Sequence, residues 1–176
     1  MVMTLIITND FPPRIGGIES FVADIAELLD REVLVYASGP SGASRTDADR
    51  GYPVVRAGDL LLPTPRVADR AVDLVRQFGA TRVIFGAAAP LGLLAPRLRR
   101  AGVQRIVGVT HGHETWWSRL PGARSLLRRI GDGCDHLTTI SAYTEERIAR
   151  ALSASSRQQM LRLPPPESST LSLIHI

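Results

Sequence analysis

The sequence predicts an open parallel α/β sheet with helices on both faces. Three observations carry this. Apolar, β-branched runs alternate with stretches of helical period along nearly the whole chain. The first run, Val2 to Thr8, is apolar almost throughout, as a strand buried on both faces requires. The length, 176 residues, suits one domain with a real core. Ligands of such a sheet bind at the carboxyl ends of its strands.

The elements follow in order. After the first strand, Asn9 to Gly17 is a loop with Pro12, Pro13, Gly16 and Gly17. From Ile18, apolar residues at 18, 21, 22, 25, 28 and 29 have the spacing of an amphipathic helix. Val33 to Ala37 is a second strand, followed by a Ser/Gly/Asp-rich loop and a short strand at Pro53 to Arg56. Helical spacing returns over Arg66 to Phe78, and Arg82 to Phe85 is a strand. Pro90 suits the first position of a helix running to about Ala101, because proline lacks an amide proton that this position does not need. Arg105 to Thr110 is a strand, Pro121 to Ile130 a helix and His136 to Ile140 a strand. Ser141 reads as the N-cap of a helix through Leu152. A last short strand then leads to the Pro164-Pro165-Pro166 linker. Residues 167–176 do not fit the pattern and read as a non-native tail, translated from an adapter-like sequence.

Composition narrows the function. With 44% hydrophobic and 22% charged residues, the chain is not intrinsically disordered. All 21 basic residues are Arg, which excludes a P-loop lysine or a Schiff base within this chain. The single Cys134 excludes an intrachain disulfide and a thiolate zinc site, a pattern usual in the cytoplasm. The N-terminus lacks the basic region of a signal peptide. The longest weakly polar stretch, Val83 to Ala95, is shorter than the roughly 20 residues of a membrane span. The expectation is a soluble or peripheral protein. Charge is unevenly placed: residues 97–131 hold eight Arg against Glu114 alone, a net of +7 within a total of +4. This is a candidate anion-facing surface, or a set of solvated helix faces. Nucleic acid is not the expected partner, since Trp116 and Trp117 are accompanied by no recognition helix or nucleic-acid motif.

Three constellations carry chemistry. Gly16-Gly17 immediately precede a helix, where close backbone approach and the positive helix end suit a diphosphate. The same pair would also serve as a tight turn, and its spacing is not the dinucleotide fingerprint. Thr110-His111-Gly112-His113-Glu114 follows a strand, where an imidazole can donate to a substrate hydroxyl or act as acid or base. Packed or capping histidines are the alternative; the order is not that of a zincin, and no metal site is expected. Finally, Ala123, Leu126, Leu127 and Ile130 form an apolar stripe among Arg119, Arg124, Arg128 and Arg129, fitting either an anionic membrane or the core.

Taken together, Thr8-Asn9-Asp10-Phe11-Pro12-Pro13 with Gly16-Gly17-Ile18, Phe85-Gly86-Ala87-Ala88-Ala89-Pro90-Leu91-Gly92-Leu93-Leu94-Ala95, Thr110-His111-Gly112-His113-Glu114 and Leu120-Pro121-Gly122-Ala123-Arg124 resemble a known family. The chain resembles, over residues 1 to about 165, the N-terminal half of family 4 glycosyltransferases of GT-B fold, specifically the actinobacterial phosphatidylinositol mannoside mannosyltransferases. The resemblance implies a Rossmann-like, doubly wound domain over 1–166 that forms the acceptor side, with the donor domain absent. It implies retaining transfer of mannose from GDP-mannose to a phosphatidylinositol mannoside on the inner face of the plasma membrane, with no metal or cofactor. By the same resemblance Gly16 and Gly17 face the donor diphosphate, His111 contacts the transferred sugar, and Asp10, Arg14 and Glu19 line the acceptor mouth, Glu19 standing where the family usually has Gln. Arg119, Arg124, Arg128 and Arg129 are the candidate membrane face. One half of such a cleft is expected to be inactive alone. The other readings are a non-catalytic domain that binds anionic membranes, and an enzyme for another nucleotide sugar.

Overall fold

The computed structural model describes residues 2–39, 45–112 and 121–163. Seven parallel strands form one sheet: β1 (Met3–Thr8), β2 (Val33–Ala37), β3 (Val54–Arg56), β4 (Ala80–Phe85), β5 (Arg105–Val109), β6 (His136–Thr139) and β7 (Met160–Arg162). Their order across the sheet is β3-β2-β1-β4-β5-β6-β7, so the winding reverses between β1 and β4. A crevice at the carboxyl ends of those two strands is where a doubly wound sheet binds its ligand.

The period of β1 explains the two-sided packing. Leu5 and Ile7 join the core beneath α3 (Pro65–Phe78), α4 (Ala95–Arg100) and α5 (Pro121–Gly133), together with Leu74, Leu98 and Leu127. Ile6, pointing the other way, packs with Val22, Ile25 and Ala26 of α1 (Gly17–Leu29). The central strands are therefore apolar on both faces, as expected from their sequence.

Three local differences from the expectation have physical causes. The stretch after Pro90 is a 3₁₀ turn over Leu91–Leu94, and α4 begins only at Ala95. Pro96, tolerated in a first turn but not in a helix interior, sets that start. The helix after Ser141 is α6 (Ala142–Ala149), and Ser141 caps it by accepting from Thr144 N at 3.1 Å. It stops short of Leu152 because Ser153 caps a further short helix, α7 (Ala154–Gln158), accepting from Ser156 N at 3.2 Å. The loop after β2 contains the four-residue α2 (Arg45–Ala48). The proline linker and the tail, 164–176, lie outside the described residues.

Candidate functional site

The site begins where β1 ends. Thr8 is fully buried, and its Oγ1 accepts from Asp10 N at 2.9 Å, turning the chain out of the sheet. Phe11 then tucks into the core and Arg14 projects into solvent. Gly16 precedes the first residue of α1, so the unpaired N–H groups of that helix open onto this loop. Glu19, buried in the first turn, folds back over Gly16: a Cβ there would lie 2.1 Å from its Oε2, and Arg14 Nε sits 3.8 Å from its Oε1. Beside Gly17 the space is open, with nothing within 4 Å of a notional Cβ.

The second wall comes from β4 and β5. Thr110 is anchored by its hydroxyl donating to Thr138 O at 2.7 Å, which fixes the residue before His111. The His111 ring reaches across to β4, where its Nε2 lies 2.6 Å from the Gly86 carbonyl oxygen. A carbonyl only accepts, so Nε2 carries the proton in this contact. Gly86 has to be glycine: a Cβ would sit 2.5 Å from Thr8 Oγ1 and 2.7 Å from Thr8 Cβ. The other side of the imidazole meets Phe21 of α1 edge to face, ring centroids 5.8 Å apart at 84°. His111 thus stands at the switch point against the same helix whose first turn carries Gly17 and Glu19.

The expected residues Asp10, Arg14, Gly16, Gly17 and Glu19 therefore share one loop and helix start, and His111 joins them through Phe21 and Gly86. His113, Glu114, Trp116, Trp117 and Arg119 lie outside the described residues. Among the described residues no three His, Cys, Asp or Glu side chains come together as a metal site, and no helix is long and apolar enough to cross a membrane.

The basic segment is dispersed by the fold. Arg97 pairs with Asp69 at 2.7 Å and Arg99 with Asp135 at 2.5 Å. Arg124 donates to the Arg150 carbonyl at 2.7 Å, while Arg128 and Arg129 are exposed on α5. The α5 stripe is mainly core, since Leu127 and Ile130 are fully buried.

Sequence reasoning missed two residues that hold the site loop. Asn9 spans to the loop after β3, accepting from Leu61 N at 2.8 Å and donating to Leu61 O at 2.9 Å. Arg56, its side chain only 4% exposed, forks onto Asp47 with bonds of 2.8 and 2.7 Å. Two further donors go to the carbonyls of Ser38, at 3.0 Å, and Pro12. The guanidinium also lies over the Phe11 ring, 5.5 Å from its centroid. One buried cation thus ties the β1–α1 loop to β3 and α2.

Comparison with known proteins agrees with this geometry. The model of Glycosyltransferase Family 4 matches residues 15–159. The chain belongs to glycosyltransferase family 4. Within that family it is 49% identical over 167 residues to the GDP-mannose-dependent alpha-(1-6)-phosphatidylinositol monomannoside mannosyltransferase of Mycolicibacterium smegmatis, covering 92% of this chain and 43% of the relative. The enzyme of the same name from Mycobacterium tuberculosis is 46% identical over 173 residues, covering 94% and 44%. A GDP-mannose-dependent monoacylated alpha-(1-6)-phosphatidylinositol monomannoside mannosyltransferase of Corynebacterium glutamicum is 44% identical, covering 84% and 40%. This family 4 chain therefore spans less than half the length of those relatives. Among solved structures, Anabaena HepE in complex with UDP superposes with a TM-score of 0.67 at 13% identity, covering 93% of this chain and 44% of HepE. That likeness is one of fold, the Rossmann-like α/β architecture of GT-B glycosyltransferases.

Proposed function

We propose that this chain is the acceptor-side half, residues 1–166, of a retaining mannosyltransferase that moves mannose from GDP-mannose to a phosphatidylinositol mannoside at a membrane surface. The observation that carries the reading is the 49% identity, across 92% of the chain, to an enzyme named for that donor and acceptor. The site geometry supplies a rationale. The first N–H groups of α1, beside Gly16 and Gly17, offer positive potential to a departing diphosphate, and open space at Gly17 lets a phosphate approach the backbone. His111, oriented by the Gly86 carbonyl and Phe21, is placed to contact the sugar as the bond from its anomeric carbon to the diphosphate breaks. Asp10, Arg14 and Glu19 are assigned to the acceptor, and the reaction is drawn with no metal or cofactor.

A single domain supplies part of the positioning that transfer needs. The 176-residue chain is therefore expected to show no mannosyl transfer, and a fusion of the second half of the M. smegmatis relative after Leu163 is expected to show it. Incorporation of labelled mannose from GDP-mannose into a phosphatidylinositol monomannoside checks both. Turnover by the unfused chain refutes the half-site reading. A fusion that folds yet transfers only from another nucleotide sugar refutes the donor.

We further propose a peripheral location on the inner face of the plasma membrane, where a lipid acceptor would be met. We assign part of the membrane attraction to Arg119, Arg124, Arg128 and Arg129, each worth about 1 kcal/mol near an anionic surface. Changing all four to Glu is expected to abolish sedimentation of the chain with anionic vesicles, and wild-type binding is expected to fall with salt, exposed charges being screened over about 8 Å at physiological ionic strength. Neutral vesicles are expected to bind poorly. Indifference of the wild-type chain to anionic vesicles at low salt shows that these arginines only solvate a helix face.

A further inference from the structure

The large apolar side chains that stand in water gather at one end of the sheet. Among the described residues, five of them follow the carboxyl end of a strand: Ile15 after β1, Leu60 and Leu62 after β3, and Ile140 and Tyr143 after β6. Only Val2 and Leu28 lie elsewhere. Ile15 is wholly exposed, Ile140 49% and Tyr143 61%. These three bracket the crevice. β1 and β6 are three strand spacings apart, roughly 14 Å, and β5, whose end leads into His111, lies between them.

All three are presented on anchored backbone. The loop that carries Ile15 is tied down where Arg56 donates to the Pro12 carbonyl. Ile140 sits between Thr139, whose carbonyl accepts from Leu163 N at 2.8 Å, and Ser141, the cap of α6. Tyr143, in the first turn of α6, has the Arg147 guanidinium 4.4 Å from its ring centroid, which steadies the ring while leaving it largely in water. Around that ring the charges pair off, Arg162 with Glu145 at 2.7 Å and Arg150 with Glu146 at 2.6 Å. An apolar centre with a polar, nearly neutral rim is the make-up of a protein contact, and it offers little to draw an anionic bilayer.

We propose that Ile15, Ile140 and Tyr143 are the apolar seal of the crevice, onto which a second domain closes on both sides of His111 to shut out water during transfer. The inference rests on the two-domain reading above. Two observations name that domain as the occupant. This chain covers 43% of the M. smegmatis relative, which leaves room for a domain of equal size. Leu163, after which such a domain is to be joined, is bonded to Thr139, the residue next to Ile140. The seal has a chemical purpose. In an open crevice a water oxygen can bond to the anomeric carbon as the bond from that carbon to the diphosphate breaks, giving free mannose and GDP while a proton passes to solvent. Closure on an apolar rim removes that water and leaves the acceptor hydroxyl as the nucleophile. The three side chains act by closure and touch no reacting atom.

The test uses the 176-residue chain and the two-domain fusion. In the fusion, labelled GDP-mannose is followed into both lipid product and free mannose. Ile140→Ser with Tyr143→Ser is expected to lower the ratio of transfer to hydrolysis by about tenfold, and Ile15→Ser to lower it in the same direction. Tyr143→Phe keeps the ring and should hold the ratio near the wild-type value. All three side chains are exposed, so circular dichroism of the serine variants of the 176-residue chain should match the wild type. A second measurement needs no turnover. Cys134 is buried and its thiol is pushed up to about 12, mainly by burial, so Tyr143→Cys is labelled selectively in the 176-residue chain. An environment-sensitive fluorophore there is expected to report water in that chain and to shift blue in the fusion with GDP bound, a fusion labelled without the added cysteine giving the background. A label that stays in water in a fusion that transfers mannose overturns the seal and leaves the enzymatic reading standing. So does an unchanged ratio in the serine variants. In the 176-residue chain, a blue shift on adding phosphatidylcholine–phosphatidylglycerol vesicles, or on raising the protein concentration, assigns the patch to a bilayer or to a second copy and also overturns the seal. A blue shift in a fusion that transfers no mannose supports the contact and counts against the mannosyl reading.

Discussion

Replacing Arg56 with alanine is expected to destabilise the domain by about 3–5 kcal/mol, the usual result of removing one partner from a buried ion pair. The Arg56 side chain is 4% exposed and that of Asp47 14%, so the carboxylate left behind would be largely cut off from water. The loss extends beyond the pair. Arg56 also satisfies the carbonyls of Ser38 and Pro12 and covers Phe11, and those groups would lose a charged donor or a packing face together. For a chain of this size each kcal/mol moves the melting temperature by about 2–4 °C, so a fall of about 10 °C is expected in a thermal melt. Arg56→Lys should recover only part of this, because a single ammonium cannot reproduce the fork onto Asp47. Removing Asp47 as well as Arg56 should cost less than the sum of the single changes. A melting temperature unchanged in Arg56→Ala shows that the β1–α1 loop is held by something else.

That clamp also marks a limit of what the sequence reveals. β1 was readable because Val2 to Thr8 has to be apolar on both faces, and α3 because its spacing runs unbroken for four turns. α2 and α7 have four and five residues, too few for a period to declare itself. The start at Pro90 was misplaced because two prolines competed for one first-turn position, and the nearer one is not the one the helix uses. In the site, Gly16, Gly17 and His111 stood out because they follow strands, where a doubly wound sheet gathers its ligands. Asn9 did not, because its partners are the backbone amide and carbonyl of Leu61, groups that every residue carries, and Arg56 did not, because its fork onto Asp47 and the carbonyls of Ser38 and Pro12 come together only in the fold. The +7 segment shows another limit: a charge run in sequence is spread in space once α4 and α5 turn it around the molecule, and two of its arginines meet acidic partners.

In the two-domain fusion, His111→Ala is expected to lower turnover by about 10²–10⁴, the range for loss of a positioned hydrogen-bonding or acid–base group. The structure gives the reason for such a cost. The imidazole is held on one side by the Gly86 carbonyl and on the other by the Phe21 ring, so its orientation is set before substrate arrives and needs no reorganisation as charge develops on the sugar. Alanine removes the imidazole from both the Gly86 carbonyl and the Phe21 ring. The loss should fall mainly on kcat, because a contact that strengthens in the transition state contributes little to binding the ground state. Phe21→Leu, which keeps an apolar contact but loses the edge-to-face fit, should give a smaller fall in the same direction. His113→Ala should change turnover far less, since the resemblance sets His111 and not His113 at the reaction centre. Equal and small effects of His111→Ala and His113→Ala would move the reaction centre away from the end of β5.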